Sequence, residues 1–216
     1  MKLTAVIFDL DGTIINSEEA WGKCFINVFK SIGSEFDNNH PQTRGLATKV
    51  NLKNIISKYH IKTDKSLDEL QTLINIEYVK QIPYITLNEG VLEFMDYLTE
   101  NNFPFALATS TNWEIVSKIL EQFNLQDSFD SITTGEEVIN PKPAPDIFLL
   151  ASEKLGIDPA DCLVIEDSPA GVKAAIEAGM KVIAISSFET DENELDEANL
   201  EVSSFADITP KVIDQL

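Results

Sequence analysis

The chain has few of the residues that staple small folds, bind soft metals or grip polyanions. Its 216 residues include two cysteines, Cys24 and Cys162, both in apolar surroundings and without metal-like spacing, so buried free thiols are expected rather than a disulfide framework. Two histidines, His40 and His60, are too isolated for a histidine-based metal site. Arg44 is its only arginine, and 16 Lys plus Arg stand against 36 Asp plus Glu, a formal charge of -20. Such a surface repels phosphate backbones and anionic headgroups, which argues against nucleic-acid and membrane partners and favours a cation such as Mg²⁺. No apolar run approaches a membrane span, and Asp9 interrupts the first one; neither a secretory leader nor a membrane anchor is expected, and cytoplasmic residence is the default. Only 9 Gly and 9 Pro accompany 44% hydrophobic residues, a composition that folds rather than stays disordered.

What is present is a rhythm. Five short apolar runs, Leu3 to Phe8, Phe103 to Ala108, Ser131 to Thr133, Cys162 to Ile165 and Val182 to Ile185, read as strands. They alternate with helical patterns at Trp113 to Phe123, Ile147 to Leu155 and Gly171 to Ala178. Strands separated by single helices, without polar alternation, predict a layered α/β fold with a mostly parallel sheet covered on both faces. Between the first two strands the rhythm breaks. Helical patterns at Ser17 to Ile32, Thr48 to Tyr59 and Leu67 to Gln81 exceed what one crossover needs, and the helix at Gly90 to Glu100 returns the chain to the core. A helical insertion over 16–85 is expected, with residues 1–15 and 86–216 forming the core. The acidic run Glu189 to Glu201 reads as a solvated loop or short surface helix.

Helix starts are legible too. In NSEE, Asn16 reads as a cap with Glu19 reaching back; in TNWE, Thr111 and Glu114 repeat the pattern; in SPAG, Ser168 caps and Pro169 opens the helix, with Gly179 closing it. In a parallel sheet every strand ends on the same edge, where ligands bind. That edge collects Asp9, Asp11, Thr109, Ser110, Glu166 and Asp167. Four carboxylates in one cleft raise one another's pKa unless a cation sits among them, and hard oxygen donors without Cys or His select Mg²⁺. Lys142, in the proline-braced NPKPAPDIF, would neutralise a carboxylate and a phosphate together.

DLDGT at Asp9 to Thr13, ATS at Ala108 to Ser110, KPAPDIF from Lys142 and VIEDSPAGVKAAIEAG from Val164 resemble, in order and spacing, the four motifs of the haloacid dehalogenase-like hydrolases. The likeness is to the branch of phosphatases and β-phosphoglucomutases with a helical cap. The resemblance implies a Rossmann-like three-layer core with an inserted cap closing over a small phosphorylated metabolite; the sequence leaves the oligomeric state open, and free motion of the cap is compatible with a monomer. It implies Asp9 as the nucleophile that becomes an aspartyl-phosphate, Asp11 as general acid and then base, Thr109 and the Ser110 backbone as phosphoryl binders, and Lys142 as charge stabiliser. Asp167, with Glu166, Asp9 and the Asp11 carbonyl, would hold Mg²⁺. Gly12 would turn the chain so that Asp11 swings toward the leaving group.

The same resemblance frames the alternatives. Asp11 argues against dehalogenation and against phosphonate hydrolysis; the latter needs a cap lysine, and Lys49 lies one residue displaced from that position. A hexose-phosphate mutase carries a cap histidine where this chain has Trp21, and that absence favours hydrolysis. Arg44, next to Gly45, falls where caps face the active site and would hold a distal anionic group of the substrate, with Trp21 bordering the same cleft. A non-catalytic binding protein of this fold would be expected to lose Asp9, Asp11 or Lys142, and all three are present.

Overall fold

Short apolar runs that lack polar alternation become strands buried on both faces. The computed structural model describes residues 3–34, 44–186 and 195–216. In chain order the elements are β1 (Ala5–Phe8), β2 (Ile15–Asn16), α1 (Glu18–Ser31), α2 (Thr48–Lys58), α3 (Leu67–Gln81), β3 (Thr86–Leu87) and α4 (Val91–Glu100). They continue with β4 (Phe105–Thr109), α5 (Trp113–Phe123), β5 (Ser131–Thr134), α6 (Asp146–Leu155), β6 (Cys162–Glu166), α7 (Pro169–Glu177), β7 (Lys181–Ile185), β8 (Leu200–Val202) and α8 (Pro210–Ile213).

Six strands form one sheet in the order β5-β4-β1-β6-β7-β8, every neighbouring pair parallel. Strand alternation sorts the core into two halves. Val6, Phe8, Phe105, Leu107, Leu163 and Ile165 face one way, against α4, α5 and the C-terminal segment. Ala5, Ile7, Ala106, Ala108, Val164 and Ala184 face the other, where their smaller side chains let α6 and α7 approach. The three-layer α/β core therefore stands as expected from the sequence. Cys24 and Cys162 are buried free thiols, and burial pushes them up to about 12 and about 11.

Between β1 and β4 the chain leaves the core. Ile15 and Asn16 pair antiparallel with Leu87 and Thr86, so the outgoing and returning segments run side by side. Beyond that pair lie α1, α2 and α3, whose buried Phe25, Leu52, Leu70 and Tyr78 join the larger core cluster through Ile14, Ile15, Ile82 and Ile85.

Three expectations are corrected. The acidic run ends in an edge strand, β8, paired with β7 through Ile183–Leu200 and Ile185–Val202; Glu189 to Glu194 lie outside the described residues, as does His40. Asn16 does not cap α1: it sits in β2, and the cap position belongs to Ser17. Thr111 does not cap α5 either, because Asn112 does, its side chain accepting from the Ile115 N–H. Ser168 caps α7 and Pro169 opens it, as expected. Among the described residues, no helix is long and apolar enough to cross a membrane.

Phe8, the last residue of β1, is the hub of an aromatic cluster, its ring centroid 5.9 Å from Phe94, 5.9 Å from Phe105, 6.4 Å from Phe129 and 6.2 Å from Phe205. The rings brace the strand end one residue before Asp9. Phe8→Ala is expected to cost about 3–5 kcal/mol in chemical denaturation. A loss below about 1 kcal/mol would contradict this packing.

Candidate active site

Asp9 follows β1 directly, and its backbone N–H donates to Ile165 O at 2.9 Å, extending the β1–β6 ladder by one step. Its carboxylate is buried and faces Lys142, whose Nζ lies 2.6 Å from Asp9 Oδ1 and 2.8 Å from Glu166 Oε1. The lysine is buried as well, with Ala108 O at 3.5 Å from Nζ and the Phe148 ring centroid at 4.7 Å. Glu166 uses both oxygens: Oε2 accepts from the Asp167 N–H at 2.7 Å, the Ser168 N–H at 2.6 Å and the Ser168 hydroxyl at 2.8 Å. Gly171, one turn into α7, makes this possible, since a Cβ there would collide with the Glu166 carboxylate.

Asp167 differs. It is 3% exposed, yet its carboxylate accepts no hydrogen bond among the described residues, and neither does Asp9 Oδ2. Carboxylates without donors, set among others of the same charge, are costly unless something positive sits among them. Asp9, Glu166 and Asp167 bring ligand oxygens within 4.8 Å of one another. If all three are ionised, the single Lys142 charge leaves two negative charges over, and an all-oxygen donor set suits Mg²⁺. Burial pushes the Asp9 carboxyl up to about 8, with Lys142 opposing and Glu166 adding to the rise. Burial, Glu166 and Asp9 likewise hold Asp167 well above the usual carboxylate range. For Lys142, burial works against the charge, but Asp9 and Glu166 outweigh it and raise its pKa. The residues present fit a divalent cation.

Asp11 lies two residues on in a different setting. Gly12 takes φ +84° and packs on Asp167, where a Cβ would strike the carboxylate. The turn sends the Asp11 carboxylate toward the inserted helices, and it is not part of the three-carboxylate group. Its Oδ1 accepts from the Ser17 hydroxyl, the Trp21 indole N–H and the Tyr78 hydroxyl, each at 2.8 Å; its Oδ2 accepts from the Thr111 hydroxyl at 2.6 Å. Asn88, just after β3, fixes the same loop by donating to Gly12 O and Thr13 O, both at 2.7 Å.

The other residues singled out from the sequence find definite places. Thr109 is buried at the end of β4, its hydroxyl accepting from the Thr111 N–H at 3.1 Å. The Ser110 hydroxyl donates to Gly45 O at 2.9 Å, and a Cβ on Gly45 would collide with the Ser168 hydroxyl, so the 44–46 loop rests on the turns after both β4 and β6. Arg44 pairs with Glu18 at 2.9 Å, and its charge acts on Asp167. Lys49 pairs with Asp68 at 2.5 Å, and both side chains are largely exposed. Sequence reasoning missed Tyr78 altogether, and it read Thr111 as a cap and left the Ser17 hydroxyl without a role. Nothing local marks Tyr78, which meets Asp11 across 67 positions.

Residues 6–185 match the sequence profile of the haloacid dehalogenase-like hydrolases. The chain belongs to that family. It is 28% identical over 217 residues to hexitol phosphatase B of Escherichia coli (strain K12), covering 97% of this chain and 96% of that protein. Among solved structures it resembles CbbY from Rhodobacter sphaeroides in complex with phosphate, with a TM-score of 0.89, 25% identity and coverage of 99% and 100%. It also resembles β-phosphoglucomutase from Clostridium difficile, with a TM-score of 0.86, 25% identity and coverage of 99% and 96%. This haloacid dehalogenase-like hydrolase therefore has its family's core and helical cap, and the carboxylate cluster lies at the strand ends where that core binds ligands.

The raised carboxyls give the metal reading a sign. Between the ordinary aspartate range and about 8, the folded protein keeps a proton on Asp9 that the unfolded chain has released, so these groups cost the fold stability as pH rises through that window. A cation that displaces the proton helps most where the carboxylates are otherwise charged and uncompensated. Mg²⁺ at a hundred times its Kd is expected to add about 2.7 kcal/mol, a rise in Tm of roughly 5–10 °C, at pH 8. The rise should be smaller at pH 6 and absent in Asp167→Asn. Equal rises at both pH values, or none at either, would count against the site.

Proposed function

We propose that this enzyme hydrolyses the phosphomonoester of a small metabolite, a sugar phosphate or a similar alcohol phosphate, through an aspartyl-phosphate on Asp9. The observation that carries the reading is the separation of two carboxylates two residues apart. Asp9 is tied by Oδ1 to Lys142 and keeps Oδ2 free beside the cation cluster. Asp11 is tied to donors on the cap side. One is therefore placed for attack and the other for proton transfer.

Asp9 Oδ2 attacks phosphorus, and Asp11 gives its proton to the departing alcohol oxygen. Asp11 then takes a proton from water as that water attacks the aspartyl-phosphate and frees Asp9. Lys142 holds Asp9 in place and balances charge on the phosphoryl oxygens, with Thr109 and the Ser110 backbone as further donors to them. Asp9, Asp167 and the Asp11 carbonyl would hold Mg²⁺. Glu166, whose oxygens are already bonded, supports the site by fixing Lys142 and the turn after β6. When bound, the ion supplies positive charge to the transferring phosphoryl group. Gly12 brings the loop against Asp167, and Arg44 is assigned to the substrate's side of the cap. The cap is taken as 16–85, moving on the paired segments Ile15–Asn16 and Thr86–Leu87, in a chain that works as a monomer. The phosphatase named among the relatives supports hydrolysis. Likeness to a β-phosphoglucomutase keeps a mutase as the second reading.

Turnover of p-nitrophenyl phosphate is expected to require Mg²⁺ and to fall about a thousand-fold or more in Asp9→Asn. A panel of hexitol, hexose and nucleoside phosphates then names the substrate. Absence of Mg²⁺-dependent release of inorganic phosphate across the panel would sink the phosphatase reading. Conversion of β-glucose 1-phosphate to glucose 6-phosphate without net release would establish the mutase instead.

A further inference from the structure

The four hydrogen bonds on Asp11 are unevenly shared, and the imbalance has a chemical meaning. Three donors crowd Oδ1, from Ser17 just before α1, Trp21 on α1 and Tyr78 on α3, while Oδ2 has Thr111 alone. A carboxylate oxygen offers about two lone pairs, so Oδ1 is saturated. An indole N–H can only donate; a proton placed on Oδ1 would meet the Trp21 hydrogen head-on. Tyr78 is fully buried, and burial together with Asp11 holds its hydroxyl well above the ordinary phenol range, so it keeps the proton it donates to Oδ1, and Trp21 is the partner there that can never accept. A threonine hydroxyl, in contrast, either donates or accepts and tolerates Oδ2 with or without its proton. Trp21 and Tyr78 also brace one another, their ring centroids 4.2 Å apart.

We propose that Trp21 and Tyr78 are positioning residues for proton transfer: by locking Asp11 Oδ1 from the cap, they make Oδ2 the oxygen that carries and delivers the proton. The inference rests on the phosphatase reading. In the first step Asp11 Oδ2–H passes its proton to the ester oxygen as the bond from that oxygen to phosphorus breaks and the Asp9–phosphorus bond forms. In the second, Oδ2 takes a proton from water as the water oxygen bonds to phosphorus and the Asp9–phosphorus bond breaks, which restores both aspartates and yields alcohol and inorganic phosphate. Because the locking donors belong to inserted helices α1 and α3, the proton-delivering geometry exists only with the cap seated on the core.

The test compares two aryl esters of similar size. Phenyl phosphate expels a basic oxygen that needs a proton; p-nitrophenyl phosphate expels a stable anion that scarcely does. In Tyr78→Phe and in Trp21→Phe, which keep an aromatic ring and lose only the donor or the indole, kcat/KM for phenyl phosphate is expected to fall about tenfold each, and about a hundredfold in the double variant. For p-nitrophenyl phosphate the fall should stay within about threefold. Equal falls on both esters would mark the pair as merely structural, and no fall on either would remove them from the reaction; each result overturns the proposal. Failure of the unaltered enzyme to turn over p-nitrophenyl phosphate with Mg²⁺ would instead strike the phosphatase reading.

Discussion

The Lys142 ammonium touches the C-terminal ends of three neighbouring strands at once: Asp9 after β1, Ala108 near the end of β4 and Glu166 at the end of β6. That one group ties the sheet order directly to the carboxylate cluster. Burying a cation this deeply costs several kcal/mol unless its partners are close and fixed, and here two carboxylates and an aromatic face supply that compensation. The partners are fixed because the sheet fixes them. β1 sits between β4 and β6, so the chain's outward path through β4 and β5 and its return through β6 diverge at Asp9, where a doubly wound sheet opens its crevice. Removing the lysine would leave Asp9 and Glu166 as like charges in a buried pocket beside Asp167, with nothing to hold the Asp9 side chain still.

Asp11 lies two residues after Asp9, but the turn at Gly12, with its positive φ, sends the two carboxylates into different surroundings. Asp9 answers to the core, Asp11 largely to the cap. The cap in turn touches the core at points that bear on the chemistry. Gly45 O receives the Ser110 hydroxyl, the Gly45 backbone packs on Ser168, and Arg44 brings its charge to bear on Asp167. A cap lifted away would break the Ser110 contact and loosen the donors on Asp11 Oδ1 together. Seating the cap and fixing the Asp11 carboxylate are therefore linked in this fold.

Much of this was legible in the residues. The strands of the core appear within two residues of where unalternated apolar runs place them, and SPAG reads correctly as cap and helix start because Ser168 has no stronger claim on its side chain than α7 and Glu166, which it serves together. The two failed caps differ in cause. Asn16 is held in β2 by pairing with Thr86, and Ser17, which takes the cap position of α1, gives its hydroxyl to Asp11; Thr111 gives its hydroxyl to the same carboxylate, so α5 takes Asn112 instead. Local preference lost to a charged acceptor that only the fold brings near. β8 was hidden for another reason: three residues within an acidic run carry too little pattern to announce a strand, and β7 supplies the template that orders them. Tyr78 had no local mark at all, since its partner lies 67 positions away.

Trp21 shows how far a single position can be read from type alone. As a bulky residue near a cleft it invites the role of substrate platform, and its indole donates to the Asp11 carboxylate at 2.8 Å. The consequence runs along the cap helices. Positions that reach Asp11, namely Ser17, Trp21 and Tyr78, are constrained by one shared carboxylate acceptor. Those farther out on α2 and on the first turns of α3 meet no core carboxylate in this way, and Lys49 and Asp68, paired with each other at the surface, are of that kind. The outer positions of the cap are therefore free to vary while its inner ones stay tied to Asp11. The division between constrained and adjustable positions thus runs through the cap itself, rather than along the seam between cap and core.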